Sequence, residues 1–123
     1  MRNYSLPKAR RLHKAAEFRS VIRFKRSVSG QFLQFFIKPS HLDYPRLGLI
    51  VAKKLERQAV KRNRLKRVLR EIFRIHQLEL DKVDCVFRLQ RSTDQADIAR
   101  FRQEAEMLIF RMKRHVTIDH KTD

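Results

Sequence analysis

The chain has 123 residues, enough for one domain with a real core and too few for two. Hydrophobic residues make up 42% of it, which excludes a disordered chain, and a formal net charge of +17 calls for an acidic partner. No long apolar segment or lipid-anchor motif argues for a membrane, Met1–Pro7 lacks the apolar run of a signal peptide, and the single cysteine, Cys85, cannot close an internal disulfide, so a cytoplasmic protein is expected.

In chain order, residues 1–11 are basic and contain Pro7, which reads as a flexible arm. Leu12, Ala15, Ala16, Phe18, Val21 and Ile22 have the spacing of a short amphipathic helix that runs to about Lys25. Ser27-Val28-Ser29 followed by Gly30 reads as a short strand and a turn. Residues 31–38 are rich in Phe and form a strand that Pro39 closes. A turn region over 40–45 leads to a strand over 46–53, whose Leu47, Leu49, Ile50 and Val51 show little alternation, as a strand covered on both faces would. A helix follows over about 59–77, with no Ser, Thr or Asp to cap its start. Residues 83–89 form another strand. Ser92, Thr93 and Asp94 then offer caps for a last helix, with Asp94 and Asp97 early and Arg111, Lys113 and Arg114 late, a polarity that matches the helix dipole. Its buried stripe is Ile98, Phe101, Ala105, Leu108, Ile109 and Met112, and the tail frays after His115. The order is α-β-β-β-α-β-α, a single α+β domain.

The helix over 59–77 dominates the chemistry. Leu65, Val68, Leu69, Ile72 and His76 follow the i, i+3, i+4, i+7 rule and form an apolar stripe. Asn63, Lys66, Arg67, Arg70 and Arg74 repeat the spacing on the other side, with Glu71 the one interruption in a run of positive charge. So many like charges within a few turns repel one another, and a polyanion relieves that cost. The rest of the chain shares the bias. Residues 1–77 hold 21 Lys and Arg against 4 Asp and Glu, whereas residues 78–123 hold 9 of each. The whole excess lies in the first two-thirds, as one surface facing a phosphate backbone requires.

Several runs together resemble the bacterial ribonuclease P protein subunit. Arg62-Asn63-Arg64, followed by Leu65-Lys66-Arg67 and Arg70-Glu71, is similar to the signature of that family. Leu12-His13-Lys14 with Glu17-Phe18 and Val21-Ile22 resembles its first helix, and the run from Arg46 to Lys54 resembles the strand that leads into its basic helix. Order, spacing and length agree over about residues 10–115.

The resemblance implies a fold like the second domain of ribosomal protein S5, with a left-handed β-α-β crossover, against the strong general preference for right-handed ones. It implies a protein that binds a catalytic RNA and helps it remove the 5′ leader of precursor tRNA. Magnesium ions held by the RNA do the chemistry, and the protein supplies no catalytic residue and no metal ligand and needs no obligate protein partner. Carried onto this sequence, the contacts to the catalytic RNA are Arg62, Asn63, Arg64, Lys66, Arg67 and Arg70, with Lys53 and Lys54 nearby. Asn63 also reads as a helix cap. A second surface, between the first helix and the sheet, receives the single-stranded leader through Phe18, Ile22 and Phe35. Aromatic rings stack on any base, which suits an enzyme with many precursors. From the residues alone Phe18 and Phe35 read as core; the resemblance moves Phe18 to the cleft and leaves Phe35 open between the two. Ile22 departs from the family, where many relatives have Phe, and it can pack but not stack.

Other constellations are negative. His41 with Asp43, and His13 with Glu17, lack a nucleophile or a second ligand at useful spacing. His76 reads as a packed, hydrogen-bonded core histidine, and Cys85, mid-strand, as buried and inert. With Gly30 and Gly48 the only glycines, there is no Gly-rich phosphate loop. Two alternatives stay open: a purely structural RNA-binding protein, such as a ribosomal protein, and a self-sufficient nuclease, for which no acid, base or metal site can be assembled.

Overall fold

The computed structural model describes residues 6–93 and 98–121, with side chains as far as Lys113. A 3-10 turn, Lys8–Arg10, precedes α1 (Ala15–Arg23), β1 (Ser27–Ser29), β2 (Leu33–Pro39), β3 (Arg46–Ile50), α2 (Ala59–Leu80), β4 (Val83–Leu89) and α3 (Ile98–Lys121). This is the expected α-β-β-β-α-β-α order. The strands form one sheet in the order β1-β2-β4-β3, with β1 and β2 and also β2 and β4 antiparallel, and β3 parallel to β4.

Alternation along the strands divides the core in two. Leu33, Phe35 and Ile37 of β2 and Val83, Cys85, Phe87 and Leu89 of β4 share the sheet face that α2 and α3 cover. There they meet Leu65, Leu69, Ile72 and Phe73 of α2, and Phe101, Leu108, Ile109 and Met112 of α3. Phe35 and Phe87 lie against each other, with ring centroids 4.4 Å apart. On the opposite face, Phe36 and Val86 pack with Val21 of α1 and with the partly buried Phe18, Ile22 and Ile50. As its mixed apolar pattern predicts, β3 is covered on both sides: Leu47 and Leu49 join the larger core and Ile50 the smaller. It ends at Ile50, before residues 51–53.

Three sequence expectations need correction. From residue 6 onward the expected N-terminal arm is docked: Leu6 is buried, Arg11 pairs in parallel with Leu47, and the Leu12 N–H donates to the Leu47 carbonyl at 2.9 Å. The segment therefore lies along the outer edge of β3, which satisfies backbone groups that would otherwise be open. Leu12 precedes α1 rather than belonging to it, and Ala15 and Ala16 are exposed. At the other end α3 continues to Lys121, past His115, so Arg111 and Lys113 are not its last turn. Lys113 instead reaches Glu79 of α2 at 3.3 Å. Asp94 and Asp97, expected near the start of α3, lie outside the described residues.

Glu104 of α3 is a polar residue in the core that the sequence did not announce. It is 8% exposed, and its carboxylate accepts the N–H groups of Gln31, Phe32 and Leu33 at 2.5, 2.8 and 2.8 Å. A helix side chain thus closes the β1–β2 connection. A Cβ on Gly30 would come within 2.4 Å of the Glu104 side chain, so glycine is needed there for the carboxylate to approach. Glu104→Ala leaves these donors without an acceptor and is expected to cost about 3 kcal/mol of stability, measured by chemical denaturation; a loss indistinguishable from that of an exposed substitution would refute the role.

Candidate nucleic-acid interface

Helix α1 is set at a defined height above the sheet by one carboxylate. Glu17 accepts the backbone N–H groups of His13 and Lys14 at 2.8 and 2.9 Å, satisfying donors at the helix start that have no intrahelical acceptor. Its other oxygen receives Arg46 Nη1 at 2.9 Å. The rest of the Arg46 guanidinium forms a two-pronged pair with Asp84, Nε to Oδ1 and Nη2 to Oδ2, both at 2.9 Å. One arginine on β3 therefore joins α1 to β4. Lys38 of β2 adds a second tie through the Ser20 hydroxyl.

This placement lays Phe18 directly on β3. A Cβ on Gly48 would sit 2.4 Å from Phe18 Cε1, so the missing side chain provides the space for the ring. Phe18 and Ile22 are both partly exposed. Phe35 is not on that face. It is wholly buried in the opposite core, because the alternation of β2 turns odd-numbered residues toward α2 and α3. The aromatic residue of β2 on the α1 side is Phe36, with Arg88 stacked over its ring at 4.9 Å from the centroid. Arg88 Nη2 also donates to Gln34 Oε1 at 2.7 Å. Phe36, Gln34 and Arg88 were missed in the sequence, where strand register alone could have found them.

Helix α2 carries the basic residues. Arg64 and Arg67 are exposed, and so are Lys53 and Lys54 in the turn after β3. Asn63 is exposed and does not cap the helix, which begins four residues earlier at Ala59. Arg62 is partly spoken for: its Nη1 donates to the carbonyls of Glu56 and Arg57 at 3.0 and 2.9 Å, bracing the loop that enters the helix. Lys66 and Arg70 are half-buried, because their side of α2 flanks the core stripe instead of opposing it. The stripe includes Phe73, wholly buried, and His76 lies at its margin rather than in the core. The His76 ring bridges Glu79 and Glu106, each at 3.3 Å.

Phe18, expected in one surface, and Lys66 and Arg70, expected in the other, are close in space. Phe18, Leu47, Leu49, Lys66, Arg70 and Arg11 line one cavity of about 210 Å³ together with Leu6, Leu12 and His13. The Arg70 pKa is lowered, first by burial and then by the like charge of Arg11. Among the described residues no three His, Cys, Asp or Glu side chains stand where they could hold a metal. Cys85 is wholly buried, and burial raises its thiol pKa well above the ordinary value. His13 Nε2 lies 2.9 Å from the Lys8 carbonyl, and Glu17 is committed to its helix cap. His41 and Asp43 are exposed in a turn. Among the described residues no helix is long and apolar enough to cross a membrane.

Residues 6–113 match the sequence model of the family described as Ribonuclease P. The chain belongs to that family. It is 48% identical over 115 residues to the ribonuclease P protein component of Nitrosomonas eutropha, covering 92% of this chain and 95% of that protein. It is 46% identical over 88 residues to the ribonuclease P protein component of Chromobacterium violaceum, covering 72% of this chain and 73% of that one. Among solved structures, the RNase P protein of Staphylococcus aureus superposes with a TM-score of 0.76 at 27% identity, covering 83% of this chain and 94% of that one. The RNase P protein of Thermotoga maritima gives a TM-score of 0.68 at 28% identity, covering 85% of this chain and 96% of that one. The family match spans the segment before α1, the sheet, the basic helix and α3 to Lys113.

The Glu17 cap predicts a pH dependence. The N–H groups of Lys14 and His13, and then the charge of Arg46, outweigh burial and lower its pKa from 4.5 to about 2. A carboxyl with a depressed folded-state pKa contributes stability that is fully present above the unfolded value and is lost as pH falls through the folded one. Glu17→Gln should therefore flatten the stability curve between about pH 4.5 and 2, read from melting temperatures across that range. Identical slopes for the two proteins would show that the cap does not depend on charge.

Proposed function

We propose that this chain is the RNA-binding subunit of ribonuclease P, which binds the catalytic RNA and the 5′ leader of precursor tRNA and promotes endonucleolytic removal of that leader. The observation that carries the reading is the continuity of an aromatic, partly open cleft with the basic flank of α2. Arg64 and Arg67, with Lys53 and Lys54, present charge to the phosphates of the catalytic RNA, while Arg62 holds the loop beneath them. Guanidinium groups suit phosphate oxygens because their forked donors match two oxygens at once. The leader lies between α1 and the sheet, against the partly exposed Phe18 and Ile22, where Phe18 offers a base a flat, sequence-tolerant surface. Magnesium ions held by the RNA supply the activated water. The protein positions RNA strands and screens their charge, in a cytoplasmic ribonucleoprotein that needs no second protein.

The direct test is reconstitution: the pure protein should restore leader cleavage by the bare catalytic RNA at low magnesium, and should cleave nothing alone. A structural RNA-binding protein fails the first assay and a self-sufficient nuclease fails the second. Two variants separate the surfaces. Arg64→Ala with Arg67→Ala should leave the fold intact, since both side chains are exposed, and should weaken binding to the catalytic RNA. The slope of log K against log salt should become shallower by roughly one unit per lost phosphate contact. An unchanged slope would remove α2 from the phosphate-contacting surface. Phe18→Ala should cost about 1–3 kcal/mol of affinity for precursor tRNA and nothing for mature tRNA, which lacks a leader. Equal weakening on both tRNAs, or a large drop in melting temperature, would return Phe18 to the core.

A further inference from the structure

Helices α2 and α3 pack against each other on the sheet, and charged contacts run along the seam between them. Arg102 meets Glu71 at 3.0 Å, His76 lies 3.3 Å from Glu106, and Lys113 reaches Glu79 at 3.3 Å. The partners advance together along both helices, so α2 and α3 run in the same direction and these contacts mark their register. Histidine is the one residue type among them that changes charge between about pH 5 and 8. His76 also makes two contacts at once. Its Nδ1 is 3.3 Å from Glu79 Oε2, and its Nε2 is 3.3 Å from Glu106 Oε2. A carboxylate only accepts hydrogen bonds. A neutral imidazole has one N–H and one lone pair, so it serves one carboxylate and turns its lone pair toward the other. The imidazolium donates from both nitrogens and serves both.

We infer that His76 is a proton-operated clamp between α2 and α3: the charged ring holds Glu79 and Glu106 together, and loss of its proton opens one side. The link between helices is the Glu106 contact, since Glu79 sits one turn further along α2 itself. Around the ring, α2 supplies Glu79, and α3 supplies Glu106 and, on Glu79, Lys113. Arg102 is held by Glu71 earlier in the seam, and Arg10 of the N-terminal segment is held by Gln77 Oε1 at 3.1 Å. The His76 contact, and then Lys113, keep Glu79 below the ordinary carboxylate range, so it stays ionised while the ring titrates. The folded chain places two acceptors around the ring proton that the unfolded chain lacks. The contribution is therefore present in mildly acid solution and is lost as pH rises and the ring discharges. Its sign is opposite to that of the Glu17 cap, which weakens as pH falls below about 4.5. The element held by the clamp also carries Glu104, on which the β1–β2 connection depends. The device is intrinsic to the protein and needs no RNA.

The test uses the full chain at fixed ionic strength between pH 5 and 8. Melting temperatures of the wild type and of His76→Gln are compared at each pH, so that the other histidines cancel in the difference. The wild type should melt higher at pH 5 by roughly 3 °C, the scale of one partly exposed charge-assisted link in a domain of this size. The difference should shrink toward zero by pH 8. Glu106→Gln should remove the same pH-dependent part, and the double variant should add little to either single one, because both changes break one contact. Amide hydrogen exchange should place the loss at high pH in the second half of α2 and in α3. Nitrogen-15 spectra of the imidazole rings in the wild-type chain, with His76 assigned by its absence from the variant, should show both ring nitrogens protonated at pH 5.5. Should His76→Gln fail to fold, His76→Lys serves for the assignment, and the ring spectrum still decides. A melting difference that is constant across the range, or a neutral His76 ring at pH 5.5, would overturn the clamp. A pH-dependent difference that survives unchanged in Glu106→Gln would overturn it as well, because the proton would then act within α2 alone.

Discussion

The parallel pairing of β3 with β4 is the constraint on which the rest of the molecule depends. Adjacent parallel strands cannot be joined by a tight turn, so the chain must leave the sheet, cross it and return. Here the return path is α2, whose Leu65, Leu69, Ile72 and Phe73 must lie on the sheet to be buried. Once that stripe is placed, the orientation of every other side chain on the helix follows. Lys66 and Arg70 come to rest beside β3, and Arg64 and Arg67 face solvent. The basic surface is therefore a consequence of the crossover, held by apolar packing that the charged residues do not disturb.

The edge that this arrangement leaves on β3 is used rather than blunted. Residues 11 and 12 run along it, and Arg46 reaches from it to Glu17 and Asp84. Helix α1 is thus anchored at its start by charge-assisted bonds and along its length by Phe18 lying over Gly48. A cleft built this way has a rigid floor, the sheet, and a helical wall whose angle is set by one guanidinium. Rigidity would suit the proposed leader site, where shape and backbone charge, and not base sequence, do the selecting.

The acids of the basic two-thirds explain why its charge stays available. Glu17 caps α1, Glu56 is buried in the loop before α2 with Oε2 on the Gln58 N–H, Glu71 meets Arg102, and Asp43 lies 3.7 Å from Lys82. The three glutamates therefore have structural tasks away from the exposed arginines of α2, and Asp43 lies in an exposed turn. Electrostatic attraction inside the fold is spent on joining elements, and the remaining cations face outward or into the cavity. The folded chain carries self-repulsion as a result, which the proposed RNA partner would remove.

Much of this was legible from residues alone, and the division follows the physics. Local periodicity determined the elements, because a buried stripe must repeat at 3.6 residues on a helix and at 2 on a strand. That was enough for the α-β-β-β-α-β-α order, the apolar face of α2 and the charge on its flank. The family resemblance rested on short runs, Arg62-Asn63-Arg64 above all, that are contiguous in sequence and need no structure to be read. What periodicity cannot supply is which face of a strand meets which helix, since that depends on partners far along the chain. Phe35 and Phe36 are neighbours in a Phe-rich run, and only the pairing of β2 with β4 put Phe36 beneath α1 and Phe35 in the opposite core. The same holds for the N-terminal residues, which read as a loose basic arm until the free edge of β3 gave them backbone partners. Glu104, Arg46 and the meeting of Arg11 with Arg70 are likewise long-range contacts between residues with no sequence relation. Tertiary structure alone decided them, because a hydrogen bond or a cavity wall is defined by distance in space.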